Sequence, residues 1–346
     1  MKKAFTVYDI AREAQVSPAT VSRVLNGSAN VSEEKRDRIR SIIEKYNFVP
    51  NALARSLIKK ESKMIGFILP DITNPFFAAV FLEAEKYAVS LGYTILLCNF
   101  MNEDFLDRTG LESLYLKTLV EKKVDGIIMM GGRVNDSDTV PELAEEIREI
   151  MEQVPVVMIN GRMEGVDCYK VIANEKDGII QLVDYLYRIG HRKFGFIGGK
   201  PGVTSTDIKL RALQKALKTY KLKLKKEWVV NGTFSIKSGA DTMNKLLDNK
   251  DIPTAVLAVN DFVAVGALNA AKKRGYRIPE DISVTGFDNT YITDIVSPSI
   301  TTVDQNYVFL GKTAVDIIVN LCNGGKTNKI NNIKTRIVIK DSCTAV

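Results

Sequence analysis

Along the first 62 residues apolar positions recur at helical spacing; beyond them they gather into short runs separated by longer helical stretches. At about 100° per residue, Val21, Val24 and Leu25 fall on one side of a helix that follows Ser17. Ala19, Ser22, Arg23 and Asn26 fall on the other, giving an apolar back and a front of short side chains with one guanidinium. Ser17 is a good N-cap, and Pro18 suits the first helical position, where a missing N–H leaves nothing unpaired. The preceding helix, near 7–14, aligns Ile10, Ala11 and Ala14, small enough for a close crossing. A third helix is predicted near 32–46, ending before Asn47. Residues 48–58 keep helical spacing, but isolated helices under about 12 residues are marginal in water. That stretch is expected to order only when something holds it.

In the remainder, strands are predicted at 64–69, 94–98, 126–130, 156–159, 194–197, 255–259 and 283–286, alternating with helical segments. Such alternation argues for parallel sheets, and seven units exceed one comfortable sheet. The predicted fold is therefore an all-α helix-turn-helix headpiece followed by an α/β core of two doubly wound parallel-sheet subdomains. Ligand clefts in such sheets open beyond the carboxyl ends of strands, which here carry Asp71, Asn160, Asn260, Asp261 and Asp288.

The front of the second helix fits the major groove of DNA, and charge supports that reading. Residues 1–62 hold 12 Lys or Arg against 7 Asp or Glu, a surplus of five, while the whole chain carries only +7. A basic headpiece on a nearly neutral body is the electrostatic footprint of a DNA-binding module. Within the short helical stretch, Arg55 and Leu57 suit a minor-groove hinge, one as a cation for the negative groove and one as an apolar wedge.

At this point the chain resembles the LacI/GalR family of bacterial transcription regulators, from Thr6 to about Lys340. The motifs that carry the resemblance are Tyr8-Asp-Ile-Ala, Val16-Ser-Pro-Ala-Thr-Val-Ser-Arg-Val-Leu-Asn26, Pro50-Asn-Ala-Leu-Ala-Arg-Ser-Leu57, Pro70-Asp-Ile-Thr-Asn-Pro-Phe-Phe77, Val124-Asp-Gly-Ile-Ile128, Gly190-His-Arg192, Asn260-Asp261, Gly286-Phe-Asp288 and Ser297-Pro-Ser-Ile-Thr-Thr-Val303. The resemblance implies that Pro18, Ala19 and Arg23 read bases, and that Thr6, Ser17, Thr20, Ser22, Asn26 and Asn30 position the headpiece on phosphates. It gives Arg55 and Leu57 the hinge and implies a homodimer on a pseudo-palindromic double-stranded DNA operator. It also implies a core resembling periplasmic sugar-binding proteins, with a small effector, a sugar or sugar derivative, bound between the subdomains. Asn74, Phe76, Lys209, Phe234, Asn260, Asp261 and Asp288 are the implied effector-site residues. The boundaries that follow are 1–49 for the headpiece, 50–62 for the hinge and 63–346 for the core. Within the core the N-subdomain takes 63–172 and 305–331, and the C-subdomain takes 173–304 and 332–346.

Several departures from the family pattern change the expectations. Gln15 stands where Gly is usual in the turn, at a cost of up to about 1 kcal/mol if the backbone there is left-handed. Pro18 and Ala19 offer no side-chain hydrogen bond, so readout there is apolar and Arg23 carries the hydrogen-bonded specificity, to guanine. Lys209 stands where Arg is usual and cannot grip paired hydroxyls or a carboxylate bidentately. Either the effector differs in shape, carrying a phosphate or carboxylate, or Lys209 is displaced and solvated. Asn174-Glu175 stands where Asp-Asn is common. Phe76 and Phe234 suit either core packing or stacking on a sugar face, and Asp288 suits paired hydroxyl donors.

Other function classes find little support. His191, the one histidine, sits in a turn and reads as structural. No nucleophile elbow, P-loop or metal-spaced cluster occurs, and Gly198-Gly199 lacks the full dinucleotide fingerprint, so no enzyme activity, cofactor, catalytic residue or metal is expected. The cysteines, Cys98, Cys168, Cys322 and Cys343, are far apart and suit a reduced cytoplasm. No apolar run approaches 18 residues, so no membrane span is expected, and Asp9, Arg12 and Glu13 interrupt the N-terminus before a signal peptide forms. The last residues lack a leucine heptad, so a tetramer built through one is not expected. A solute-binding protein is the competing reading for 63–346, but it needs export and has no use for a basic headpiece. Among regulators three schemes stay open: an inducing sugar, a purine-type corepressor, or carbohydrate control with a phosphocarrier protein partner.

Overall fold

The computed structural model describes residues 5–25, 31–46, 48, 61–100 and 108–346, in two units, Met1–Ser62 and Lys63–Val346. In the smaller unit, α1 (Val7–Glu13) begins at a capping box, in which the Thr6 Oγ1 accepts the Asp9 N–H and the Asp9 carboxylate accepts the Thr6 N–H at 3.0 Å. The following turn passes through Gln15 at φ 55°, so the left-handed backbone is present and the side chain costs roughly 1 kcal/mol there. Then come α2 (Pro18–Leu25), whose first turn is closed by Ser17 Oγ accepting the Thr20 N–H at 3.2 Å, and α3 (Glu33–Lys45). Ile10, Ala11, Ala14, Val21, Ile39 and Ile42 are buried between the three helices, with Val24 and Leu25 half-buried beside them. Of the predicted DNA contacts, Asn26, Asn30, Arg55 and Leu57 lie outside the described residues, as does most of the 50–62 segment.

The strands of the larger unit are β1 (Met64–Leu69), β2 (Thr94–Asn99), β3 (Gly126–Met130), β4 (Val156–Ile159), β5 (Tyr169–Ala173), β6 (Phe194–Ile197), β7 (Val229–Val230), β8 (Ala255–Ala258), β9 (Ser283–Thr285), β10 (Thr302–Asp304), β11 (Ile330–Ile333) and β12 (Arg336–Val338). Its helices are α4 (Pro75–Ser90), α5 (Arg108–Glu121), α6 (Pro141–Met151), α7 (Glu175–Arg188), α8 (Thr204–Thr219), α9 (Ile236–Leu247), α10 (Asp261–Lys273), α11 (Ile292–Ile295) and α12 (Tyr307–Cys322). One parallel sheet has the order β11-β5-β4-β3-β1-β2 and a second has β7-β6-β8-β9, while β10 and β12 pair antiparallel. Every residue of β3, β4, β6, β8 and β9 is buried, as parallel strands covered on both faces must be.

The chain passes between the sheets three times. It leaves the first after β5 into α7 and returns after β10 through Gln305 into α12, whose Leu310, Ala314 and Ile318 pack with Val80 and Ala84 of α4. It leaves again after β11. The sequence places this last crossing at 331–332, but Asn331 and Asn332 pair with Val171 and Ile172 inside the sheet. The polar pair belongs to an edge strand that faces solvent on one side, and the crossing falls after Ile333.

Candidate nucleic-acid interface and ligand cleft

On α2, Pro18, Ala19 and Arg23 are exposed, Ala19 and Arg23 on the side opposite buried Val21, while Thr20 and Ser22 are half-buried. Ser17 and Thr20 bond each other at 2.9 Å between hydroxyls, which fixes the polar edge at the helix start. Tyr8, on α1, is 70% exposed. An exposed ring at a helix start has no periodicity signal of its own.

The ligand-cleft candidates lie at strand ends and helix starts, where capping consumes several of them. Asn74 caps α4, its Oδ1 accepting the Phe76 N–H at 3.0 Å, and the Phe76 ring is buried in the first sheet's core beside Phe77. Asn260 caps α10, accepting from the Val263 N–H at 2.9 Å and donating its Nδ2 to the Phe234 carbonyl at 3.1 Å. Phe234 itself is half-buried against the second core. Asp261 departs from expectation: its carboxylate accepts from Thr302 Oγ1 at 2.6 Å and from both the N–H and hydroxyl of Thr290, at 2.7 and 2.9 Å. Both oxygens are engaged inside the fold, so Asp261 fastens the loop after β9 and the start of β10 instead of lining a cleft.

Of the two alternatives for Lys209, displacement into solvent is ruled out. The Lys209 Nζ is buried, donates to the Val259 carbonyl at 3.0 Å, lies 3.2 Å from Glu175 Oε1 and stands 4.0 Å from the centre of the Phe287 ring. Glu175 in turn accepts from Ser205 Oγ at 2.5 Å. Lys209 and Glu175, two of the positions at which the sequence departs from the family pattern, are thus partners.

Asp288, at φ 115°, accepts from Gln305 Nε2 at 2.6 Å, and Gln305 Oε1 accepts from Asn160 Nδ2 at 2.9 Å. Asn160 Oδ1 accepts the Ala173 N–H at 2.7 Å. This relay runs from the end of β4 in the first sheet to the loop after β9 in the second. Burial pushes the Asp288 carboxyl well above its ordinary range, against the opposing pull of the Lys209 ammonium. A second link joins the same two halves. Asp136 pairs with Val203, the Ser137 N–H donates to the Gly202 carbonyl at 2.7 Å, and Ser137 Oγ donates to Asp207 at 2.6 Å. Asn135 Oδ1 and Thr204 Oγ1, next to this clasp on either side, are buried without a hydrogen-bond partner. Sequence reasoning misses Gln305, Ser137 and Asp207, because each acts through a residue 17 to 145 positions away.

His191 is buried with Nδ1 against Thr254 Oγ1 at 2.9 Å and Nε2 against the Thr344 carbonyl at 3.1 Å, and desolvation lowers its pKa. It anchors the C-terminal segment. Burial pushes the Cys168 and Cys343 thiols up to about 11, which keeps them unreactive. Among the described residues no helix is long and apolar enough to cross a membrane, and no three His, Cys, Asp or Glu gather to hold a metal.

Asp261 also sets a pH dependence. Burial raises its carboxyl to about 6, its hydrogen bonds from Thr302 and Thr290 pulling the other way. The native state therefore binds the proton more tightly than the unfolded chain, and the stability that this group contributes declines as pH rises from about 4 to about 6. Asp261→Asn, which cannot titrate, is expected to be at its greatest disadvantage to the parent at pH 4 and to gain on it by pH 6.5. Urea denaturation at the two values checks this; a constant difference contradicts it.

The family model for bacterial regulatory proteins of the lacI family matches residues 6–51, and that for the periplasmic binding protein-like domain matches 183–343. The transcriptional repressor PurR of Aliivibrio salmonicida is 32% identical over 314 residues, 91% of each chain. Catabolite control protein A of Staphylococcus epidermidis is 32% identical over 330 residues, 95% of each. Among solved structures, a lac repressor dimer bound to operator and the anti-inducer ONPF superposes with a TM-score of 0.88 at 25% identity, covering 99% of this chain and 100% of the other.

Proposed function

The chain belongs to the LacI family of bacterial regulatory proteins, and on that premise we propose how its parts share the work of an effector-controlled, DNA-binding transcriptional repressor. Residues 1–49 form the DNA-reading headpiece, 50–62 the hinge, and 63–346 the effector-binding core, with the third crossing moved to 334–335. A cytoplasmic homodimer places two headpieces on the half-sites of a pseudo-palindromic operator. Arg23 hydrogen-bonds a base, Pro18 and Ala19 make apolar contacts, and Thr6, Ser17, Thr20, Ser22, Asn26 and Asn30 meet phosphates. Arg55 and Leu57 act at the hinge.

A sugar or sugar derivative binds between the subdomains, against Asn74, Phe234 and Asp288 with Asn160 and Gln305. Its binding changes how far the subdomains close, which changes hinge separation and so operator affinity. The observation that carries this reading is the clasp of Ser137 with Gly202 and Asp207: closure is a discrete contact that a ligand can favour or oppose.

A thermal-shift screen of sugars, polyols, sugar phosphates, sugar acids and purines tests it. A ligand at 100 times its Kd adds about 2.7 kcal/mol to the native state. The same ligand is expected to change operator affinity about fivefold or more, the lower end of ordinary coupling, and Ser137→Ala to shrink that change. Weaker operator binding identifies an inducer and tighter binding a corepressor. A response present only with a phosphorylated carrier protein identifies the third scheme. A ligand that stabilises the protein without altering operator affinity refutes the coupling.

A further inference from the structure

We propose that the cleft accepts an uncharged, hydroxyl-rich effector and rejects the phosphorylated or carboxylated counterpart of the same molecule, because the Lys209 ammonium is already neutralised by Glu175. The proposal rests on the reading of the cleft as the effector site and adds the ligand's charge.

The Lys209 and Glu175 side chains are 4% and 7% exposed, with Nζ and Oε1 3.2 Å apart. The remaining surroundings of the ammonium are also occupied: the Val259 carbonyl takes one N–H, and the face of Phe287 covers another side. On Glu175, Oε1 also accepts from Ser205. An incoming phosphate or carboxylate therefore finds no spare positive charge at Lys209. To recruit it, the anion has to displace Glu175 and leave a buried carboxylate without its counter-ion, which is strongly unfavourable.

The Asp288 carboxyl is buried nearby and feels the pull of the same ammonium, so a second acidic group already shares that charge. Hydrogen-bond supply agrees with charge. Only one oxygen of Asp288 carries a bond, that from Gln305 Nε2. Asn135 Oδ1, an acceptor, is buried and unpaired beside the clasp. Acceptors of this kind need a ligand that donates. Sugar hydroxyls donate; an ionised phosphate or carboxylate only accepts.

The test uses the full chain and matched pairs, glucose with glucose 6-phosphate and gluconate, ribose with ribose 5-phosphate, and galactose with galacturonate, measured by thermal shift and then calorimetry. In any pair that binds, the neutral member is expected to be at least tenfold tighter. Glu175→Gln frees the ammonium and is expected to cut that preference at least tenfold, or to reverse it. If the parent protein binds an anionic member more tightly, the proposal is overturned, and this needs no variant to fold. A folded Glu175→Gln with unchanged preference overturns it too. If no member of any pair binds while operator binding persists, the reading of the cleft as a sugar site fails first, and the charge inference falls with it.

Discussion

Gly266→Ala is expected to destabilise the core by on the order of 4 kcal/mol or more. Gly266 lies in α10, where a Cβ would fall on the Ile236 carbonyl oxygen and 2.8 Å from the Ala240 amide nitrogen, both in α9. The approach is reciprocal: a Cβ at Gly239 of α9 would meet the Val263 carbonyl of α10, its carbon 2.8 Å away. Ordinary overpacking costs about 1 to 3 kcal/mol, because side chains can change rotamer to make room. Here the obstacles are backbone atoms on two packed helices, so one helix has to move. Moving α10 disturbs the caps at its start, where Asn260 ties the helix to the Phe234 carbonyl and Asp261 ties it to Thr290 and Thr302. Urea denaturation measures the loss. Gly92→Ala serves as the contrast, since at φ 75° with nothing within 4 Å it carries only the left-handed backbone penalty of about 1 kcal/mol. Equal losses in the two variants would remove the steric argument.

The strands buried on both faces were legible in the sequence as continuous apolar runs, and β1, β3, β4 and β6 begin and end where those runs do. Two of the strands that the pattern does not predict, β7 and β11, lack such runs. Two-residue β7 is too short for any period, and Ile330–Ile333 places two asparagines in its centre. In the headpiece, the apolar back of α2 was legible to the residue at Val21 because a three-helix core depends on few positions.

The site was legible in residue type but not in pairing. Lys209 and Glu175 each stood out as unusual, yet nothing along the chain says that they meet, because the contact depends on how α7 lies against α8. Asp261 carried the signature of a cleft carboxylate, a strand-end position opening a helix. Thr290 and Thr302, brought back by the path of the chain 29 and 41 residues later, take both its oxygens. Local sequence shows that a polar group is present; only the fold shows which partners already hold it.

Arg23→Ala is the second large effect expected, and it falls on DNA discrimination with little change in stability. Arg23 is exposed on α2, so its removal leaves no cavity and no buried group unpaired. Its neighbours on that face restrict the alternatives. Pro18 and Ala19 are exposed and have no side-chain donor or acceptor, while Ser17 and Thr20 bond each other and the helix start. Among the described residues of the α2 front, Arg23 is therefore the side chain best suited to a two-pronged hydrogen bond with a guanine edge. Loss of one such pair costs about 1 to 3 kcal/mol, and a homodimer on a two-fold operator loses it twice. The expected result is an operator affinity lower by about 2 to 6 kcal/mol in total, with tolerance appearing at one symmetric pair of base positions. Competition binding against operators substituted at each symmetric pair measures both parts, and thermal denaturation checks that the headpiece stays folded. A phosphate-binding arginine would behave differently: binding to every duplex, operator or not, would weaken alike, and the slope of log affinity against log salt would flatten by about one for each phosphate no longer neutralised. That pattern would move Arg23 from the base edge to the backbone and leave base discrimination to residues other than Arg23, Leu57 among them.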